Sequence, residues 1–171
     1  KENGVAIDVV LQVKAPDGGE ILFEEIRSFI ERLKSLEKFP IQRVSYDGWQ
    51  SVGELQLLKK VGINAELQSV DRNSEAYDTL KALIYKGQFE SYWHSVLVRE
   101  LEELVLLPDG KIDHPVYSLR RSLEEDGINK GSKDVADAVA GCVNLCLKYG
   151  KNSNFTFGFA GMPDISAVPP G

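Results

Sequence analysis

Apolar positions along this chain change their spacing from strand-like to helical and back several times. Val5 to Val13 (VAIDVVLQV) is rich in β-branched residues and reads as a largely buried strand. Beyond the turn Pro16-Asp17-Gly18-Gly19, residues Leu22, Ile26, Phe29, Ile30 and Leu33 recur at helical spacing and predict a helix over 21–36. Pro40 ends the connection to a second strand, Ile41 to Tyr46, which delivers Asp47 at its carboxyl end. Ser51 is positioned to cap a helix carrying Val52, Leu55, Leu58 and Val61, and Gly62 closes that helix. Ala65 to Val70 predicts a third strand, and Ser74 to Tyr85 a helix closed by Gly87. Phe89 to Trp93 is ambiguous, whereas Val96 to Leu104 is helical. Val105 to Leu107 and Lys111-Ile112 flank the Pro108-Asp109-Gly110 turn as a small hairpin. Residues 115–132 are irregular and charged, and Asp134 to Tyr149 predicts a last helix rich in Ala and Val. After Gly150 the chain turns to Asn, Ser, Gly and Pro, the composition of a mobile tail or linker.

Strands alternating with helices predict an α/β domain with parallel strands in its sheet. In such sheets the functional crevice lies beyond the carboxyl ends of the strands, where the pattern puts Asp47. The 171 residues suit one domain over 1–150 with an appendage over 151–171. At 43% hydrophobic and 27% charged residues, the composition is that of an ordinary globular domain able to bury its own core. No apolar run approaches the roughly 20 residues that span a bilayer, and the first residues lack a signal-peptide pattern. The chain opens on Lys1 rather than Met, as a piece of a longer protein would. Cys142 and Cys146, four apart on one helix face, read as buried small residues rather than a redox or zinc pair, and fit a reducing cytoplasmic setting. A net charge of -6 argues against a general nucleic-acid binder unless positive charge is local or supplied by another domain.

Two segments carry candidate chemistry. Within SYDGWQS (45–51), Asp47 ends a strand and precedes a glycine; a ligand-facing carboxylate and a turn-shaping one are equally compatible with that position. In GSKDVADAVAG (131–141), Asp134 and Asp137 are three apart on one helix face near its N-terminus. Acidic residues there also stabilise helix starts. The small residues Ala136, Ala138, Ala140 and Gly141 let this helix approach a sheet closely. Hard divalent cations such as Mg2+ take oxygen ligands, often a few carboxylates completed by water and substrate phosphate. Two such ions about 3.5–4 Å apart activate water and stabilise the leaving oxygen in phosphodiester cleavage, and Asp47 and Asp134 would supply part of that cage. His114, after Asp113, suits a site edge, while His94 reads as surface or core. HExxH, zinc-finger spacing, GxSxG and the phosphate-binding GxxxxGK[ST] are all absent from the sequence. Arg120, Arg121, Lys130 and Lys133 gather before the last helix; they suit a DNA backbone, or equally a solvated loop shared with Glu124, Glu125 and Asp126.

SYDGWQS, SVDR (69–72) followed by Tyr77 and Leu80, KIDHP (111–115) and GSKDVADAVAG together resemble, in order and approximate spacing, the nuclease domain of the large terminase subunit of tailed phages. The resemblance covers roughly residues 5–148. It implies a ribonuclease-H-like fold, a central mixed sheet flanked by helices, with an acidic cluster binding two Mg2+ or Mn2+ ions. It implies endonuclease cleavage of double-stranded DNA during viral genome packaging, alongside a terminase ATPase domain and a portal, in the cytoplasm of an infected bacterial host. On that resemblance Asp47 takes the second active-site carboxylate position and Asp134 the late one, with Asp137 replacing or assisting Asp134. The chain departs from the pattern in two ways. The family's first catalytic Asp lies on a strand ahead of the one resembling Val5 to Val13, and Asp8 matches it poorly. The stretch from Val116 to Lys130 is longer than the family's link. The alternative is a non-catalytic module of the same fold that docks DNA or the portal; a junction resolvase is disfavoured by the SYDGWQS and GSKDVADAVAG pair.

Overall fold

The computed structural model describes residues 4–36, 39, 41–48, 52–70, 72–116 and 131–150, and the backbone of 156–159. Its order of elements is β1 (Val5–Ile7), α1 (Phe23–Ser35), β2 (Arg43–Tyr46), α2 (Val52–Lys60), β3 (Asn64–Leu67), α3 (Glu75–Tyr85), β4 (Phe89–Ser91), α4 (Ser95–Glu103), β5 (Val105–Leu106), β6 (Ile112–Asp113), α5 (Asp134–Tyr149) and β7 (Thr156–Phe159). The protein is therefore of mixed α/β class. Where the sequence suggests one domain over 1–150, the chain divides into two compact units that interleave along it: Lys1–Val10 with Val70–Asn144, and Leu11–Ser69 with Leu145–Gly171.

In the second of these units β2 is the middle strand, paired in parallel with β3 on one side and β7 on the other. A middle strand is covered on both faces, and Val44, Ser45 and Tyr46 are accordingly all buried. Ile26 and Ile30 from α1 and Leu55 and Leu58 from α2 complete the core with Ile41, Val44, Tyr46, Ile63 and Ala65. Arg27 ties the two helices together, donating to Glu54 on α2 at 2.8 Å and to Glu31 on α1 at 3.0 Å. Gly62 closes α2 as expected: at φ 75° it lets its own N–H reach Lys59 O and the N–H of Ile63 reach Leu58 O, which satisfies two terminal carbonyls. Gly87 does the same for α3, with bonds to Ile84 O and Leu83 O.

The other unit holds β1 paired in parallel with β4, helices α3 and α4, the antiparallel β5–β6 hairpin, and the α5 residues up to Asn144. Val5, Val70, Ala76, Tyr77, Leu80, Leu83, Leu97, Val135, Ala136, Val139, Ala140 and Val143 are among its buried apolar residues.

Three expectations differ from the structure. The strand expected over Val5 to Val13 stops at Ile7. Beyond it Val9 and Leu11 are exposed, and the backbone of Val10 bonds instead to a side chain: the Tyr92 hydroxyl accepts from Val10 N at 2.8 Å and donates to Val10 O at 3.2 Å. β-branched composition supplied the strand signal, but a ladder needs a partner strand, which composition cannot report. Conversely, Thr156–Phe159, inside the stretch read as a tail, is the strand β7. Cys142 and Cys146 are half-buried rather than fully interior. The described strands form three small sheets, the largest wholly parallel. Ending the chain at Gly150 removes β7 and opens the β2 edge to water. The expected result is a loss of about 1–3 kcal/mol, since several ladder bonds at roughly 0.5–1.5 kcal/mol each disappear. A urea midpoint equal to that of the full chain would show that β7 adds nothing to the sheet.

Candidate active site

The N-terminal turn of α5 collects three of the four segments that carry the resemblance. Gly131 N–H donates to Val116 O at 3.0 Å, and Gly131 packs so tightly on KIDHP that a Cβ there would land on the Pro115 carbonyl oxygen and 2.7 Å from His114 Nδ1. Only glycine fits, whatever its dihedral angles, because the obstacle is backbone. From α3, the segment following SVDR, the Tyr77 hydroxyl donates a short hydrogen bond to Asp137 Oδ1. Lys133 Nζ donates to Asp137 Oδ2 at 2.6 Å, and both side chains are buried. Asp137 thus has a donor on each oxygen and a lysine charge against its own.

Asp134 is placed differently. Its side chain is half-buried, its backbone N–H donates to Ser132 Oγ at 3.3 Å, and its Oδ2 lies 3.2 Å from the same hydroxyl. Across that hydroxyl, at 3.0 Å, stands Glu100 Oε1 from α4. Glu100 Oε2 accepts from the backbone N–H of Ala136 at 2.8 Å, so a residue remote in sequence caps α5. Two carboxylates therefore face one serine hydroxyl at a helix N-terminus.

Glu100 is the member that motif reasoning misses. The available signal was its position in α4, three residues after the buried Leu97 and four before Leu104, on the helix's apolar stripe. A carboxylate on that stripe requires an internal partner. Burial is the largest cause holding the Glu100 carboxyl above its ordinary value of 4.5; the Asp134 charge adds to it, while the hydrogen bonds from Ala136 and Ser132 oppose it. A carboxyl whose folded pKa is raised contributes stability below its unfolded pKa and loses it as pH rises through the folded one. Glu100→Gln preserves the shape, with its oxygen accepting from Ala136 and its amide donating to Ser132 Oγ. The variant's urea midpoint, measured across the weakly acidic range, is expected to fall less with rising pH than that of the parent. Parallel curves would remove Glu100 as the source of that dependence.

Asp47 belongs to the other unit. It is half-buried and follows β2 directly at the carboxyl end of the parallel strands, ahead of Gly48 at φ 89°. Lys133, expected as a DNA contact, has its ammonium on Asp137 inside the protein, leaving little of it to meet a phosphate backbone. Arg120, Arg121 and Lys130, with Ser51 and Asp71, lie outside the described residues. Among the described residues no group of three or more His, Cys, Asp or Glu side chains is arranged to hold a metal ion. Glu100 spends its oxygens on Ser132 and Ala136, so Asp134 is the carboxylate of this turn suited to Mg2+ or Mn2+, which use one or two carboxylates with water and substrate phosphate filling the remaining positions. No helix among the described residues is long and apolar enough to cross a membrane. Comparison with family models, curated proteins and solved structures finds no match to the chain.

Proposed function

We propose that the chain is a metal-dependent endonuclease domain of the packaging-terminase type, with a ribonuclease-H-like fold, that cleaves double-stranded DNA during viral genome packaging. The observation supporting this reading is the meeting of the Tyr77, KIDHP and GSKDVADAVAG segments at the first turn of α5. These segments carry the resemblance, and the contacts among them follow from no property of composition.

In this reading Asp134 is the metal-facing carboxylate of its unit, and Glu100 fixes the turn that presents it. Asp47 keeps the carboxylate role that the resemblance gives it. Bound Mg2+ or Mn2+, two ions on the resemblance, would supply an activated water and charge neutralisation at the scissile phosphate. Asp137 acts by position: it holds Lys133 and Tyr77 and so sets the start of α5. The remaining partners are a terminase ATPase domain and a portal, in the cytoplasm of an infected bacterium, and the acidic chain takes its tight DNA binding from those partners.

A second reading, a non-catalytic module that docks DNA or the portal, draws support from the Lys133–Asp137 ion pair, which withholds one of the two late carboxylates from a cation. Plasmid nicking in Mn2+, Mg2+ or EDTA separates the two. Nicking that EDTA abolishes supports the nuclease; DNA or portal binding without nicking in either metal supports the module.

A further inference from the structure

The two histidines of the chain are held in opposite tautomers. His94 caps α4, its Nδ1 accepting from the backbone N–H of Leu97 at 3.2 Å. An accepting Nδ1 carries no proton, so neutral His94 is protonated on Nε2. His114 is the reverse. Its Nδ1 lies 2.8 Å from the Pro115 carbonyl oxygen, which can only accept, so Nδ1 must carry the proton. Its Nε2 then bears the lone pair.

Two further contacts set this ring. Gly131 packs against its Nδ1 side. Asp113 Oδ1 stands 3.9 Å from Nε2 while accepting from the backbone N–H of His114 at 2.8 Å. The side chain is 28% exposed, enough for solvent to reach the ring. A half-exposed imidazole whose donor side is anchored on a backbone carbonyl and packed on Gly131, three residues before Asp134, keeps Nε2 as its fixed basic nitrogen. Proton acceptors need that arrangement, in which geometry comes before pKa.

We propose that His114, through Nε2, is the proton acceptor for the attacking water in the cleavage reaction of this site; the inference rests on the nuclease reading above. Nε2 takes one proton from the water, and the hydroxide oxygen forms its bond to phosphorus as the bond to the leaving ester oxygen breaks. The leaving oxygen takes a proton from solvent, and the imidazolium returns its own to solvent.

The test combines plasmid nicking in Mn2+ by the parent, His114→Gln and His94→Asn with two-bond 1H–15N spectra of the parent's imidazoles. His114→Gln is expected to nick at least ~100-fold more slowly. His94→Asn, which retains a capping acceptor, is expected to nick at the parent rate. The spectra, taken above the imidazole titration range, are expected to show Nδ1–H for His114 and Nε2–H for His94. A His114→Gln rate equal to the parent's would overturn the proposal with the nuclease reading intact, as would an Nε2–H tautomer at His114. A parent chain that nicks with neither metal overturns the nuclease reading, and this inference falls with it.

Discussion

Replacing Asp134 with asparagine is expected to reduce Mn2+-dependent nicking by more than the ~10–100-fold that disturbing an outer-shell partner costs a metal site. Asparagine keeps the side chain's size and an acceptor toward Ser132, 3.2 Å from the native Oδ2. What it removes is the negative charge that a hard cation requires. The fold should survive, because Asp134 is half-buried and the capping of α5 by Glu100 through Ala136 N–H is untouched. The comparison that gives this experiment its force is Asp137→Asn at an equal folded fraction, judged by circular dichroism. Asp137 has donors on both oxygens, so its loss should act on folding before chemistry. Full nicking by Asp134→Asn, with none by a folded Asp137→Asn, would exchange the roles assigned to the two carboxylates.

The largest effect on stability is expected at Asp137. Alanine there leaves the Lys133 ammonium, on a side chain 10% exposed, without its carboxylate, and leaves the buried Tyr77 hydroxyl without this acceptor. Breaking one side of a buried ion pair typically costs about 3–5 kcal/mol, because the surviving charge remains desolvated. Removing both charges is a different matter. Desolvation offsets much of the attraction in such a pair, so Lys133→Met combined with Asp137→Leu is expected to be far less destabilised than the sum of the single changes. Urea denaturation of the two single variants and the double variant measures the coupling directly. Additive losses would mean that the 2.6 Å contact contributes little, and that the cost at Asp137 comes from Tyr77 instead.

The helices were legible in the sequence because each rests on local signals. Apolar spacing located α1, α2, α3 and α4 to within a residue or two, and α5 runs over Asp134–Tyr149 as expected. Gly62 and Gly87 marked the ends of α2 and α3 because a left-handed residue that closes a helix is a backbone requirement, written in one residue type. Asp47 at the end of β2 was legible for a similar reason: strand and breaker adjoin it in the chain.

Tertiary structure alone decided the rest. Which apolar stretch becomes a strand depends on finding a partner, so Val5 to Val13 kept only three residues of ladder while Thr156–Phe159, set among loop-forming residues, paired with β2. The first turn of α5 was visible as two aspartates three apart, with nothing to rank them. Tyr77, 60 residues away in sequence, and Lys133 close on Asp137, whereas Ser132 and Glu100 flank Asp134. A charge pattern read along one helix reports which carboxylates share a face. Which of them is neutralised and which stays half-open depends on the groups that burial brings from other elements, and those are fixed only when the chain folds.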